Sequence, residues 1–374
     1  MKDPVVLNDF RAQWAEIAAD TLAAVRTVGE SGWYILGRQV AAFEQMLGQT
    51  LSVSQAIGCA SGLDAIELGL RATGLQPGAK VLTTPLSAFA TTLAIIRAGG
   101  VPVYVDVDAS GLLDLGEMEA ALRADPSIRH AVPVHLYGHA LDLERLDRIR
   151  KEHDLIVIED AAQAILARSR DISVGAVGQA SALSFYPTKN LGALGDAGAL
   201  LTSDDAVAAR ARCLRDYGQA AKYDHELLGM NSRLDELHAA ILSQALLPRL
   251  SGGTARRCDI AARYLREIRH PHVAPLPVPE GSQSVWHLFP VRVAGAGRAM
   301  LVEHLSGLQI QSAVHYPTPI PDQRALAQVT WHAHGSLSNV RTLCQHALSL
   351  PVHPHMSDSH VTRVIEAVNS WAST

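Results

Sequence analysis

Leu155-Ile-Val-Ile-Glu-Asp160 is the stretch on which the reading of this chain turns. Four aliphatic residues in an unbroken run mark a strand buried on both faces, as in a parallel sheet. A half-exposed antiparallel strand would alternate instead. The run ends on two carboxylates, and side chains alternate faces along a strand, so Glu159 and Asp160 point opposite ways. The carboxyl ends of parallel strands are where α/β proteins bind ligands. That makes Asp160 a candidate partner for a protonated ring nitrogen. Taken alone, it reads equally well as an N-cap for whatever follows.

Working outward, short apolar runs at 80–84, 101–107, 130–136, 180–185 and 197–202 read as further strands. Helical patterns at 62–72, 89–98, 116–123 and 143–153 lie between several of them. Alternating strand and helix units predict an α/β fold, with a mixed, mostly parallel sheet between helices. The N-terminal stretch to about residue 25 reads as a helix ending before Gly29, and two longer helices are expected near 204–215 and 233–247. After Leu247 the texture changes. Pro248 and Ser251-Gly-Gly253 mark a boundary, and prolines become frequent. The expected division is a large domain, 1–248, and a smaller C-terminal α+β domain, 249–374.

The 374 residues are 48% apolar and 18% charged, against about 25% charged in an average protein, so a large core is available. The net charge of −5 and the lack of basic–aromatic interleaving argue against nucleic-acid binding. No apolar run reaches membrane-spanning length. Residues 1–16 carry acids early and no apolar signal core, so residence in the cytoplasm is expected. The four cysteines, Cys59, Cys213, Cys258 and Cys344, lie far apart and read as reduced thiols. His353-Pro-His355 lacks a nearby acid or cysteine and reads as a loop rather than a metal site. Gly192-x-x-Gly195-x-x-Gly198 is only a fragment of a dinucleotide fingerprint.

Lysine is scarce. The chain has Lys2, Lys80, Lys151, Lys189 and Lys222, and arginine supplies the other 27 of 32 basic residues. Lys189 stands in the otherwise uncharged Ser184-Phe-Tyr-Pro-Thr-Lys-Asn-Leu-Gly192, just after a strand. A desolvated amine loses its proton more readily and attacks carbonyls; an exposed loop lysine is the plainer alternative. Ser61-Gly-Leu-Asp64 opens a helical pattern as a capping box, and a helix start of this kind also binds phosphate through its free N–H groups. Asn231-Ser-Arg-Leu-Asp235 is a second start with the same two readings.

A strand-end Asp, a Lys 29 residues on and an upstream phosphate cradle are the parts a pyridoxal phosphate (PLP) enzyme needs. Over nearly its whole length the chain resembles the DegT/DnrJ/StrS group of PLP-dependent sugar aminotransferases, of fold type I. The matching blocks are Ser31-Gly-Trp-Tyr-Ile-Leu-Gly37, Phe89-Ala-Thr-Thr92, Pro133-Val-His-Leu-Tyr-Gly138, Glu159-Asp-Ala-Ala-Gln163, 184–195, 231–241, His315-Tyr-Pro317 and Leu348-Ser-Leu-Pro351. The resemblance implies that Lys189 joins the cofactor covalently and shuttles the proton, and that Asp160 pairs with the ring nitrogen. It implies that Gln163 bonds the ring hydroxyl and Phe89 stacks on the ring. Ser184, with the amides of Gly62 and Leu63, would hold the phosphate. Asn231 would reach that phosphate from the other subunit of a homodimer with shared sites. Tyr186, Lys222, Tyr223, Arg233, His315 and Tyr316 are the implied substrate contacts, Arg233 facing the donor's carboxylate. Leu63 stands where the group usually has Thr.

The implied reaction is transfer of an amino group from L-glutamate to a nucleotide-linked keto-sugar, of the dTDP-3-keto-6-deoxyhexose type, for amino-deoxysugar biosynthesis. Two alternatives accompany it: an aminotransferase acting on a cyclic polyol ketone, and a non-catalytic regulatory member of the same fold.

Overall fold

The computed structural model describes residues 3–372. Its centre is an eight-stranded sheet. In spatial order the strands are Gln55–Cys59, Gly198–Thr202, Ala180–Ser184, Ile156–Asp160, His130–Val132, Lys80–Thr83, Val101–Tyr104 and His332–Ala333. Only Gly198–Thr202 runs against the rest, so the sheet is mixed and mostly parallel, as expected. Val157 and Ile158 are fully buried, which is why the 155–158 run has no polar member. Each such side chain contributes roughly 1.5–3 kcal/mol by leaving water.

The helix Gly62–Ala72 packs on this sheet. Its Gly69 lies so close to Ile158 and Leu200 that an added Cβ would sit about 3.0 Å from each. The helix starts at Ser61, whose Oγ accepts from Asp64 N at 3.1 Å. The reciprocal half of the capping box does not form, because the Asp64 carboxylate accepts from Ser232 Oγ at 2.9 Å and pairs with Arg97 at 3.3 Å.

Several expectations are corrected. The first helix runs Phe10–Ser31, straight through Gly29, and ends at Gly32 in the left-handed region (φ +64°). Gly29 costs that helix about 1 kcal/mol relative to Ala but does not end it. The stretch at 233–247 is an α-turn, Glu236–Ile241, then a π segment, Leu242–Leu246, and a 3-10 turn at Leu247–Arg249. Pro248 has no N–H to give an α-helix, and the chain absorbs this by changing pitch. Ser251-Gly-Gly253 is not a linker; it lies inside the helix Leu250–Glu267.

The C-terminal part builds a three-stranded antiparallel sheet, Val273–Pro275, Phe289–Val293 and Ala347–Leu350, over its own core of Tyr264, Phe289, Leu301 and Val361. Two segments cross residue 248. Val5 is fully buried in this second core, and His332–Ala333 adds a parallel edge strand beside Val103–Tyr104 of the large sheet.

Candidate active site

The two carboxylates of the central strand do separate. Glu159 turns to the structural side, where its oxygens accept from the amides of Gly175, Val177 and Gly178 at 2.7–2.9 Å and from His135 Nε2 at 2.9 Å. His135 Nδ1 accepts from Leu141 N, so the ring proton is on Nε2 and points at Glu159. Burial alone would raise the Glu159 pKa, but the His135 bond and the amides outweigh it and hold the carboxyl below its ordinary value.

Asp160 turns to the other side, into a cavity of about 540 Å³, within the ~300–1,000 Å³ usual for ligand sites. Its Oδ2 accepts from Thr91 Oγ1 at 2.8 Å and its Oδ1 from Ala162 N at 3.1 Å. Its backbone is fixed as well, with Asp160 N donating to Pro133 O and its carbonyl accepting from His135 N. Burial pushes the Asp160 carboxyl up; Thr91, Ala162 and the charge of Lys189 oppose this. A buried carboxylate in that state is a site for a cation.

Lys189 lines the same cavity. The tight turn after the strand Ala180–Ser184 carries it there, and its N–H donates to Tyr186 O at 2.8 Å. Desolvation lowers its amine to about 8, against the pull of Asp160. At neutral pH a useful fraction is therefore the free, nucleophilic amine.

Gln163 is held at both ends. Tyr137 N donates to its Oε1 at 2.8 Å, so its Nε2 donates to Tyr316 Oη at 3.2 Å. Tyr137 Oη in turn donates to the His315 carbonyl at 2.6 Å. His315 Nδ1 meets Ser349 Oγ at 3.0 Å, and burial, then Lys189, push its ring down to about 4, so it is neutral at pH 7. Burial raises the Tyr316 phenol to about 12.

At the far end, Gly62 and Leu63 open their helix against Ser184. A Cβ on Gly62 would come within 2.6 Å of the Ser184 Cβ, so only glycine lets the hydroxyl and the helix N-terminus meet. Free N–H groups beside a hydroxyl form an anion cradle. A buried carboxylate for a cationic ring, a free amine for a carbonyl and a cradle for a phosphate share one cavity, and this donor set fits PLP.

Lys189, Asp160, Gln163, Ser184, Gly62, Leu63, Tyr186, His315 and Tyr316 thus come together. The other candidates lie outside this cavity within one protomer. Phe89 is not in the cavity wall; it opens the helix Phe89–Arg97 and packs against the core of the large domain, and Ala88 lines the cavity instead. Arg233 is closed on Asp216 at 3.0 Å and lies over the Tyr217 ring at 5.1 Å, so its fork is not offered to the cavity. Lys222 sits 5.2 Å from the Tyr223 ring centroid on an exposed hairpin, and Asn231 is exposed beside it. The sequence reading missed Thr91, Tyr137, His287, Leu7 and Asn8. Thr91 and Tyr137 lie inside blocks already quoted; the other three carry no local signal. Among the described residues, no cluster of three or more His, Cys, Asp or Glu is arranged to hold a metal, and no helix is long and apolar enough to cross a membrane.

The model of the DegT/DnrJ/EryC1/StrS aminotransferase family matches residues 15–369. The dTDP-3-amino-3,4,6-trideoxy-alpha-D-glucose transaminase of Streptomyces venezuelae is 39% identical over 366 residues, 97% of this chain and 95% of that protein. The erythromycin biosynthesis sensory transduction protein EryC1 of Saccharopolyspora erythraea is 40% identical over 368 residues, 97% of this chain and 98% of its own. The crystal structure of S. venezuelae DesV in complex with ketimine intermediate superimposes with a TM-score of 0.94 at 38% identity, covering 99% of both chains.

Proposed function

The chain belongs to the DegT/DnrJ/EryC1/StrS aminotransferase family and is a PLP-dependent sugar aminotransferase, and from that premise we propose that it moves an amino group from L-glutamate to a dTDP-linked 3-keto-6-deoxyhexose, for amino-deoxysugar biosynthesis. The observation that carries this reading is the meeting of Lys189 and Asp160 in one cavity with the Gly62–Ser184 cradle.

When bound, PLP supplies an aldehyde that receives the amino group and a ring that takes up the electron pair released when a C–H proton leaves. The chain's residues do the rest. Asp160, fixed by Thr91 and Ala162, would face the ring nitrogen and favour its protonated form. The amides of Gly62 and Leu63 and the Ser184 hydroxyl would hold the phosphate. Gln163, oriented by Tyr137, would present its remaining N–H to the ring hydroxyl. Lys189 would be the covalent anchor, and its free amine would move the proton. His315 and Tyr316, on the small-domain wall, bind the sugar; the neutral imidazole and un-ionised phenol bring no charge to a substrate whose hydroxyls are neutral.

We place Asn231, Lys222 and Tyr223 in the partner's site of a homodimer. What supports this is the exposed apolar side chains of the same segment: Leu228 is 92% exposed and Tyr223 82%, more than isolated apolar residues explain. Four free thiols are consistent with residence in the cytoplasm.

The test is a screen of dTDP-, UDP- and GDP-linked keto-sugars with L-glutamate, read by mass spectrometry. Amination of the dTDP 3-keto-6-deoxy sugars is expected. Amination of UDP or GDP sugars alone overturns the nucleotide assignment, and amination of none of them favours the cyclic polyol ketone.

A further inference from the structure

Residues 5–9 form a strap that no catalytic role requires. Val5 is fully buried in the small-domain core and forms a parallel bridge with Ile310: its N–H donates to Gln309 O and its carbonyl accepts from Gln311 N, both at 2.9 Å. Leu7 N donates to Gln311 Oε1 at 3.1 Å. Asp9 then caps the helix Phe10–Ser31, its Oδ1 accepting from Arg11 N and Ala12 N. The strap is thus tied at both ends, and its middle, Leu7 and Asn8, lines the cavity that holds Lys189.

The position has a chemical meaning. The large-domain side of the cavity, with Gly62, Ser184 and Asp160, would hold the cofactor. The small-domain side therefore faces the second reactant. Its apolar part is Leu7, backed by the buried Leu350 and Val352; its polar part is Asn8 with His315 and Tyr316. Among the described residues, no hydrogen bond engages the Asn8 carboxamide, although its neighbours Leu7 and Asp9 are both tied. A free carboxamide both donates and accepts, which suits a sugar hydroxyl. An aliphatic wall suits a carbon without oxygen, because a hydroxyl buried against it lacks a partner.

We infer that Leu7 and Asn8 are specificity-determining residues for the sugar: Leu7, with Leu350 and Val352, selects a deoxygenated C6, and Asn8 bonds a ring hydroxyl. This rests on the sugar aminotransferase reading above and deepens it.

The holoenzyme is assayed in reverse, with 2-oxoglutarate and two dTDP-3-amino sugars that differ only in carrying a methyl or a hydroxymethyl at C5. The wild type is expected to prefer the 6-deoxy sugar in kcat/KM by roughly 10- to 100-fold, the scale on which an apolar pocket rejects an added hydroxyl. Leu7→Ser is expected to reduce that ratio at least threefold and Leu7→Met to restore it. Asn8→Ala is expected to lower kcat/KM for both sugars about tenfold without changing the ratio, the worth of one or two hydrogen bonds. If Leu7→Ser does not fold, Leu7→Thr carries the same test. A wild type that uses both sugars equally, a ratio unmoved in the Leu7 variant, or full activity in Asn8→Ala overturns the inference while leaving the aminotransferase reading standing. A wild type that converts neither sugar overturns the substrate reading itself.

Discussion

The cavity and the exposed surface around the 219–225 hairpin are opposites in construction. In the cavity several working side chains are held in place: Asp160 by the Thr91 hydroxyl, Gln163 by the Tyr137 N–H and His315 by the Ser349 hydroxyl, while Ser184 sits close against the bare Cα of Gly62. On the hairpin side, Asn231, Lys222 and Tyr223 are exposed, and Lys222 lies over the Tyr223 ring. The lesson is that a carboxylate, an amine and an anion cradle meet in one cavity of a single chain, whereas the hairpin side carries chemistry-bearing residues that lie outside the cavity of their own protomer. Leu228, in the same segment, is exposed as well, which suits the homodimer proposed above.

The largest expected effect tests the self-sufficient region. Lys189→Ala is expected to fold normally and lose roughly a thousandfold or more in kcat, because it removes both the anchor and the proton carrier. Borohydride reduction of the wild type, followed by peptide mapping, is expected to place the pyridoxyl group on Lys189, and heavy label on another lysine would sink the assignment. The dependent region is tested by mixing. Lys189→Ala and Asn231→Ala protomers, each poorly active, should together recover up to one working site per heterodimer once subunits exchange. A mixture no better than its parents, with exchange verified by mass spectrometry, would erase the distinction between the two regions.

Smaller effects sharpen the comparison. Asp160→Asn is expected to retain PLP yet lose on the order of a hundredfold in kcat, as when one preorganised charge is removed from an active site. The same variant makes a pH prediction. In the cofactor-free protein, PLP should attach to Lys189 with a rate that rises through a midpoint of about 8, well below the ordinary lysine value. Asp160 favours the ammonium form, so its removal makes that form less stable, and the midpoint should move lower still. A midpoint that rises would contradict the geometry. Gly62→Ala drives a methyl against Ser184 and is expected to weaken PLP binding about tenfold, as titrated by absorbance, and to lower thermal stability as well, because the overpacking cost falls on the fold itself.

What was legible in the sequence was whatever is local. The helix at 62–72 is read to the residue, because its cap and its periodicity both lie inside the segment. Asp160 and Lys189 were legible because strand alternation and the rarity of lysine are properties of the chain itself. The errors sit where a distant residue decides. Arg233 looks free until Asp216 folds onto it, 17 residues away in sequence. Phe89 looks like a ring-stacking aromatic, and in one protomer it opens a helix and packs half-buried against the core of the large domain. Leu7 and Asn8 reach the cavity only because Val5 is stitched to Ile310. The strand Gln55–Cys59 and the helix Arg38–Leu51 were not read at all; the first is a short edge strand held by its antiparallel partner Gly198–Thr202, and the second lacks a side-chain cap.

The central strand serves two clients that must never be exchanged. Glu159 bolts the 175–178 loop in place and Asp160 serves the chemistry, and a single backbone step separates them. Because side chains alternate, gaining or losing one residue upstream within this strand would not shift the site gradually; it would swap the two faces at once. The bolt would then face the cofactor and the shorter carboxylate would fall short of the loop. The strand therefore tolerates substitution far better than insertion or deletion. A library of single-residue insertions across 155–160 should behave as an on–off switch, whereas aliphatic exchanges at 157 and 158 should be graded.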